Sequence, residues 1–163
     1  MIRLLPLLFA LLAPVPAMAQ AAREALPIPR FVSLRSEEVN LRTGPGVRYP
    51  VEWVFVRRQM PVEILQEFEN WRRVRDREGT EGWVHQSMLA GRRTAIVLGE
   101  AGRPAELRRR AEDGAPALAR IEPGVIATLI ECAGAWCRLE AGGFRGWMPR
   151  AGLWGVYPQE TVK

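Results

Sequence analysis

The sequence predicts an all-β protein of two tandem small β-barrels, and three observations predict it. The first is internal repetition. Trp71, Gly82-Trp83-Val84 and Leu89 recur as Trp136, Gly146-Trp147-Met148 and Leu153, while Leu41-Arg42 and Pro50 recur as Leu107-Arg108 and Pro116. The offset drifts from 66 residues at Leu41/Leu107 to 65 at Trp71/Trp136 and 64 at Trp83/Trp147, as small loop deletions between two copies would leave it. Repetition at this period sets the architecture before any local signal is weighed. The second observation is a series of short period-two stretches, and the third is the glycine and proline that punctuate them.

The elements follow in chain order. Residues 1–19 read as a signal peptide: Arg3 supplies the charged start, Leu4 to Val15 the apolar core, and Ala17-Met18-Ala19 the cleavage site, leaving Gln20 first. An uncleaved anchor helix is the alternative, disfavoured because the run is short for a bilayer of about 30 Å and carries Pro6 and Pro14. No Cys follows the cleavage site, so no lipoprotein anchor is expected. Residues 20–30 read as a flexible lead-in, residues 31–93 as repeat one and residues 94–163 as repeat two.

In repeat one, strands are expected at Phe31–Leu34, Glu38–Arg42, Val51–Val56, Pro61–Phe68, Trp71–Asp76 and Thr80–Val84. Thr43-Gly44-Pro45-Gly46 is a turn, because glycine tolerates positive φ and proline presets its own. In repeat two, strands are expected at Ile126–Glu131, Trp136–Glu140 and Phe144–Met148. Thr94 to Leu98 closes the first barrel or opens the second. Arg103 to Ala119 carries good helix formers interrupted by Gly114 and Pro116. Its alignment with Val39 to Pro50 favours an irregular loop, with room for one helical turn, over a full helix.

The stretch Val39-Asn40-Leu41-Arg42-Thr43-Gly44-Pro45-Gly46, followed by Tyr49-Pro50-Val51, resembles the opening motif of bacterial SH3-like (SH3b) domains. Pro61-Val62-Glu63-Ile64, Asn70-Trp71-Arg72-Arg73-Val74 and the closing Glu81-Gly82-Trp83-Val84-His85 resemble the rest of that repeat in order and spacing. Repeat two is similar but degenerate, with Glu106 for Asn40 and Arg109-Arg110-Ala111-Glu112 for the Thr-Gly-Pro-Gly turn. The resemblance implies barrels of five to seven strands and a binding role toward wall peptides or glycans.

The function expected from these readings is an exported, non-enzymatic binding protein of the cell envelope, periplasmic or secreted. Its partner would be a cell-wall peptide or glycan, probed by repeat one, or alternatively an envelope protein for which it is an adaptor or regulator. The 23 basic and 18 acidic residues give a formal charge of +5, or +4 once Arg3 is removed. Export argues against nucleic acid as the partner, and a charge of this size serves solubility. No membrane segment is expected after cleavage, and no cofactor.

Asn40, Arg42, Tyr49 and Trp53 are the candidate ligand residues, lining a groove beside the first turn where aromatic faces stack and polar tips hydrogen-bond. Plain packing between the repeats is the competing reading for Trp53. Cys132 and Cys137 are expected to form a disulfide in an oxidising compartment, with two buried thiols as the alternative. One histidine, His85, and two cysteines fall short of a structural zinc set, so no metal is expected. Glu37, Glu38, Glu63, Glu67, Glu69, Asp76, Glu78 and Glu81 read as solvated surface beside arginines. Trp83 and Trp147 read as packing residues, Trp71 and Trp136 as half-exposed ones.

Overall fold

A computed structural model describes residues 26–163; the expected signal peptide and the start of the lead-in lie outside the described residues. Fourteen strands follow one another among the described residues, seven in each half. Repeat one contains β1 (Arg30–Leu34), β2 (Val39–Arg42), β3 (Val51–Phe55), β4 (Pro61–Phe68), β5 (Trp71–Arg75), β6 (Glu81–His85) and β7 (Leu89–Ala90). Repeat two contains β8 (Thr94–Val97), β9 (Ala105–Arg108), β10 (Ala117–Ile121), β11 (Ile126–Ala133), β12 (Trp136–Ala141), β13 (Phe144–Pro149) and β14 (Leu153–Trp154).

The sheets have the same order, β3-β2-β6-β5-β4-β1-β7 and β10-β9-β13-β12-β11-β8-β14. Each curls on itself, because strands from both ends of the order feed one core. In repeat one Leu41 and Phe55 pack in the same cluster as Leu34 and Leu89. In repeat two Leu107 and Ile121 join Val97 and Leu153. Period-two alternation directs these residues inward and their neighbours outward. The fold class is therefore two small β-barrels, as the repeats predict.

One difference from the sequence reading has a physical cause. Arg103–Ala119 is neither helix nor plain loop: it holds β9 and the start of β10. Its Ala, Leu, Arg and Glu favour helix locally, but Leu107 must fill the core and β9 pairs with β13 and β10. Thr94 to Val97 opens the second sheet, pairing with β11 and β14. The bulges also recur. Register shifts occur at corresponding positions, Ile64/Gln66 and Leu129/Glu131, and again at the β2–β3 and β9–β10 pairings.

Gly82 and Gly146 explain the Gly-Trp motif. A Cβ on Gly82 would meet Leu41 Cγ at 2.5 Å and the Arg42 carbonyl at 3.0 Å; on Gly146 it would meet the Arg108 carbonyl at 2.7 Å and Leu107 Cγ at 2.8 Å. The glycines let β6 and β13 cross tightly over β2 and β9. The following Trp83 and Trp147 point outward, half-buried rather than in the core, each between two cross-strand arginines: Arg42 and Arg73, and Arg108 and Arg138.

The barrels touch. The Phe31 ring meets Trp154 edge-on at 5.1 Å and lies 4.8 Å from the Tyr157 ring. Tyr157 donates its hydroxyl to Glu63 (2.7 Å), which also accepts from Arg75 (2.6 Å). Burial, then the hydrogen bond to Glu63, push the Tyr157 phenol above its ordinary value, so it remains a donor. Thr94 Oγ1 donates to the Gln59 carbonyl (2.8 Å) and Arg57 to that of Gly124 (2.6 Å). Glu63 is thus buried rather than solvated. Asp76 is buried too, accepting from the Thr80 N–H (2.8 Å) to close the β5–β6 turn.

Cys132 and Cys137 stand opposite each other on β11 and β12 and form a disulfide. Cys132 also exchanges backbone hydrogen bonds with Val162, so the chain's last residues lie along β11.

Candidate functional site

The loop between β2 and β3 is held by its own hydrogen bonds. Arg42 Nη1 donates to the Tyr49 carbonyl (2.7 Å) and the Val47 carbonyl (3.2 Å), and the Thr43 N–H donates to the Pro50 carbonyl (3.1 Å). Gly44 lies flat beneath the Tyr49 ring, where a Cβ would come within 2.4 Å of it. The Thr-Gly-Pro-Gly motif is therefore a bed for Tyr49. The Arg48 guanidinium lies over this ring, 5.2 Å from its centroid.

Beside this loop, the outward residues of β2, β6 and β5 enclose a cavity of about 180 Å³, lined by Glu38, Asn40, Arg42, Val47, Trp71, His85 and Met88. Trp71 and His85 are cross-strand partners, their rings edge-to-face at 5.4 Å. His85 Nδ1 accepts the Ser87 N–H (3.3 Å) and lies 2.7 Å from the Ser87 hydroxyl. In the neutral ring this leaves the proton on Nε2.

Of the expected ligand residues, the structure brings Asn40 and Arg42 to this cavity. Tyr49 sits behind it on the turn. Trp53 is on β3, 55% exposed, outside the cavity and also outside the contact between barrels. It pairs with the buried Leu41 but remains exposed on the strand that ends the sheet order, while Phe55 on the same strand enters the core. Trp71 and His85 were not among the expected ligand residues. The signal for them was the register of the β5–β6 hairpin, which places both on the outer face with Arg73 and Trp83.

The cavity offers an aromatic surface, an amide, an imidazole, a guanidinium and one carboxylate. That set suits hydrogen bonding and stacking. Among the described residues no cluster of three or more His, Cys, Asp or Glu could hold a metal. No helix among them is long and apolar enough to cross a membrane.

Repeat two keeps the loop and changes the residues around the place of the cavity. Arg108 Nη1 donates to the Ala115 carbonyl (3.2 Å), and the Arg109 N–H to that of Pro116 (3.0 Å), matching Arg42 and Thr43. Glu106, in place of Asn40, is ion-paired to Arg108 at 3.0 Å. Pro149 stands where repeat one has His85.

The Trichomonas vaginalis proteins NlpC2 and NlpC1 have solved structures that this chain matches at 12% identity in each case. NlpC2 gives a TM-score of 0.36 over 80% of this chain and 49% of that one, and NlpC1 gives 0.35 over 85% and 50%. The chain thus spans about half their length. A search of curated proteins finds no match. The family model for the bacterial SH3 domain, a binding module that is generally non-catalytic, matches residues 35–91 and again 101–155. With both halves matched and both folded alike, the chain belongs to the bacterial SH3 domain family.

Proposed function

We propose that the protein is an exported, non-enzymatic binding protein of the cell envelope that holds a peptidoglycan peptide or glycan in repeat one. The observation that carries this reading is the contrast at one place in two like barrels. Asn40, Trp71 and His85 surround an open cavity in repeat one, whereas an ion pair and a proline stand there in repeat two. The Leu-rich start of the sequence supports export. Sugars and peptides both use a ring to stack on and fixed donors to bond.

Retention on purified peptidoglycan tests it. Wild type is retained, and Asn40→Ala and His85→Ala each weaken retention about tenfold, the worth of one good polar contact in a desolvated site. Equal retention of wild type and both variants overturns the reading.

A second reading, adaptor or regulator of an envelope enzyme, is favoured by β3. It ends the sheet order, and Val51, Trp53 and Val54 are exposed along it, with Val56 just beyond. An unpaired apolar edge accepts an extended segment of another protein. Loss of a single co-purifying protein in Trp53→Ala, with peptidoglycan retention absent, selects this reading.

A further inference from the structure

Repeat two has a cavity of its own, of about 660 Å³, at a different place in its barrel. Ala135 in the β11–β12 turn, Pro149 at the end of β13, Ala151 in the turn that follows, Leu153, and Val156 and Pro158 of the C-terminal segment form its largely apolar wall. Arg150 lines it as well, although the residue is only 7% exposed. Its Nε donates to the Gly134 carbonyl (2.8 Å), and its Nη1 to those of Tyr157 and Glu160 (2.7 Å each). Its Nη2 has no hydrogen-bond partner among the described residues, and no carboxylate there lies within ion-pair distance of the guanidinium.

The nearby carboxylate is engaged elsewhere. Glu160 is ion-paired to Arg93 and accepts the Tyr157 N–H (3.1 Å). Burial would raise its pKa, but the hydrogen bonds from Arg93 and Tyr157 and the charges of Arg93 and Arg150 hold it below the ordinary value. Two arginines against one glutamate leave the cluster with one positive charge in excess. At the corresponding place repeat one has a smaller cavity, of about 210 Å³, lined by Gln86, Leu89, Arg30 and Arg72. Gln86 takes the place of Arg150, its N–H donating to the Asn70 carbonyl as that of Arg150 does to Ala135 (2.8 Å in both), and its side chain is closed on Asn70 and Arg72.

We propose that this cavity is a second binding site, for the C-terminal carboxylate of a short peptide of small apolar residues. The carboxylate meets Arg150 Nη2, and the apolar side chains lie against Pro149, Leu153 and Val156. A neutral apolar ligand would cover a cation without matching it, which costs more than the burial returns. A carboxylate makes a charge-assisted hydrogen bond, about twice as strong as a neutral one. The three carbonyls already hold the guanidinium in place, so little freedom remains to be lost on binding. The disulfide and the Cys132–Val162 bridge hold the facing walls. The site shares no residue with the groove of repeat one, and it stands or falls independently of that reading.

Titration of the whole mature chain, followed by backbone amide NMR, tests this. The probes are acetyl-Ala-Ala with a free carboxylate and the same peptide as its amide. The free acid shifts the signals of Gly134, Ala135 and Ala151 and binds at least about tenfold tighter than the amide. Ala151→Glu, at the exposed rim, places a competing carboxylate in the cavity without touching the three bonds of Arg150. It leaves the melting temperature unchanged and weakens binding of the acid at least about tenfold. Equal binding of acid and amide, shifts confined to other residues, or no binding of the acid up to about 10 mM overturns the proposal.

Discussion

The two repeats fold alike and present different surfaces, and the difference separates scaffold from site. Shared by both are the strand order, the bulges, a glycine beneath the second strand, and an arginine whose guanidinium closes the following loop. Arg42 belongs to that shared set through Arg108, so a residue singled out for ligand contact has a backbone role first. Repeat one is open on the outer face of β2, β6 and β5. Repeat two carries the Glu106–Arg108 ion pair and Pro149 there, and has its wide cavity around Arg150, beside the C-terminal segment. Recurrence marks what the barrel needs, and divergence marks where each barrel meets something else.

The largest effect should come from breaking what the repeats share. Gly146→Ala and Gly82→Ala are expected to cost about 3 and about 2 kcal/mol in urea unfolding, as overpacking does. Gly146 loses more because its new Cβ faces a backbone oxygen at 2.7 Å, whereas at Gly82 the nearest atom belongs to a side chain. A reversed order, or losses under about 0.5 kcal/mol, would contradict the close-crossing account.

Next is a feature that only repeat two has. Reduction of Cys132–Cys137 is expected to cost about 2 kcal/mol, the chain-entropy value for so short a loop. Hydrogen exchange should rise at Cys132 and Val162 and stay constant at β4 and β5. Uniform acceleration in both barrels would mean that they unfold as one unit.

The smallest expected effect is a pH dependence of the C-terminal segment. The carboxyl of Glu160 is held below its ordinary value when folded. Its contribution is therefore complete above the unfolded value of about 4.3 and is lost as pH falls through the lower folded value. Protection of the Val162 amide should fall over that window in wild type and lose that dependence in Glu160→Gln. A curve identical in both would remove the Arg93–Glu160 pair from the account.

Much of the architecture was legible because a barrel core requires period-two apolar residues and tight turns, and both leave marks in the chain. The expected strands from Phe31 to Val84 coincide with β1 to β6 to within one residue at either end. β9 was not legible, since Ala-Glu-Leu-Arg carries no local preference for a strand and only pairing with β13 and β10 makes it one. The site was half legible. Asn40 stood out by motif, but Trp71 and His85 gain meaning only when the β5–β6 hairpin aligns them on one face. Glu63 looked like any surface glutamate until the second barrel covered it and supplied Tyr157.

Repetition, alternation and turn residues thus determine, from the chain alone, that two like barrels form. They do so because those patterns act within one strand or one turn. Whether a given polar residue faces water, the neighbouring barrel or a cavity was decided only by tertiary structure, since partners such as Tyr157 and Glu63 lie 94 residues apart. Arg150 is the clearest case: its sequence neighbours mark a turn, and only the returning C-terminal segment makes it the buried cation of a cavity.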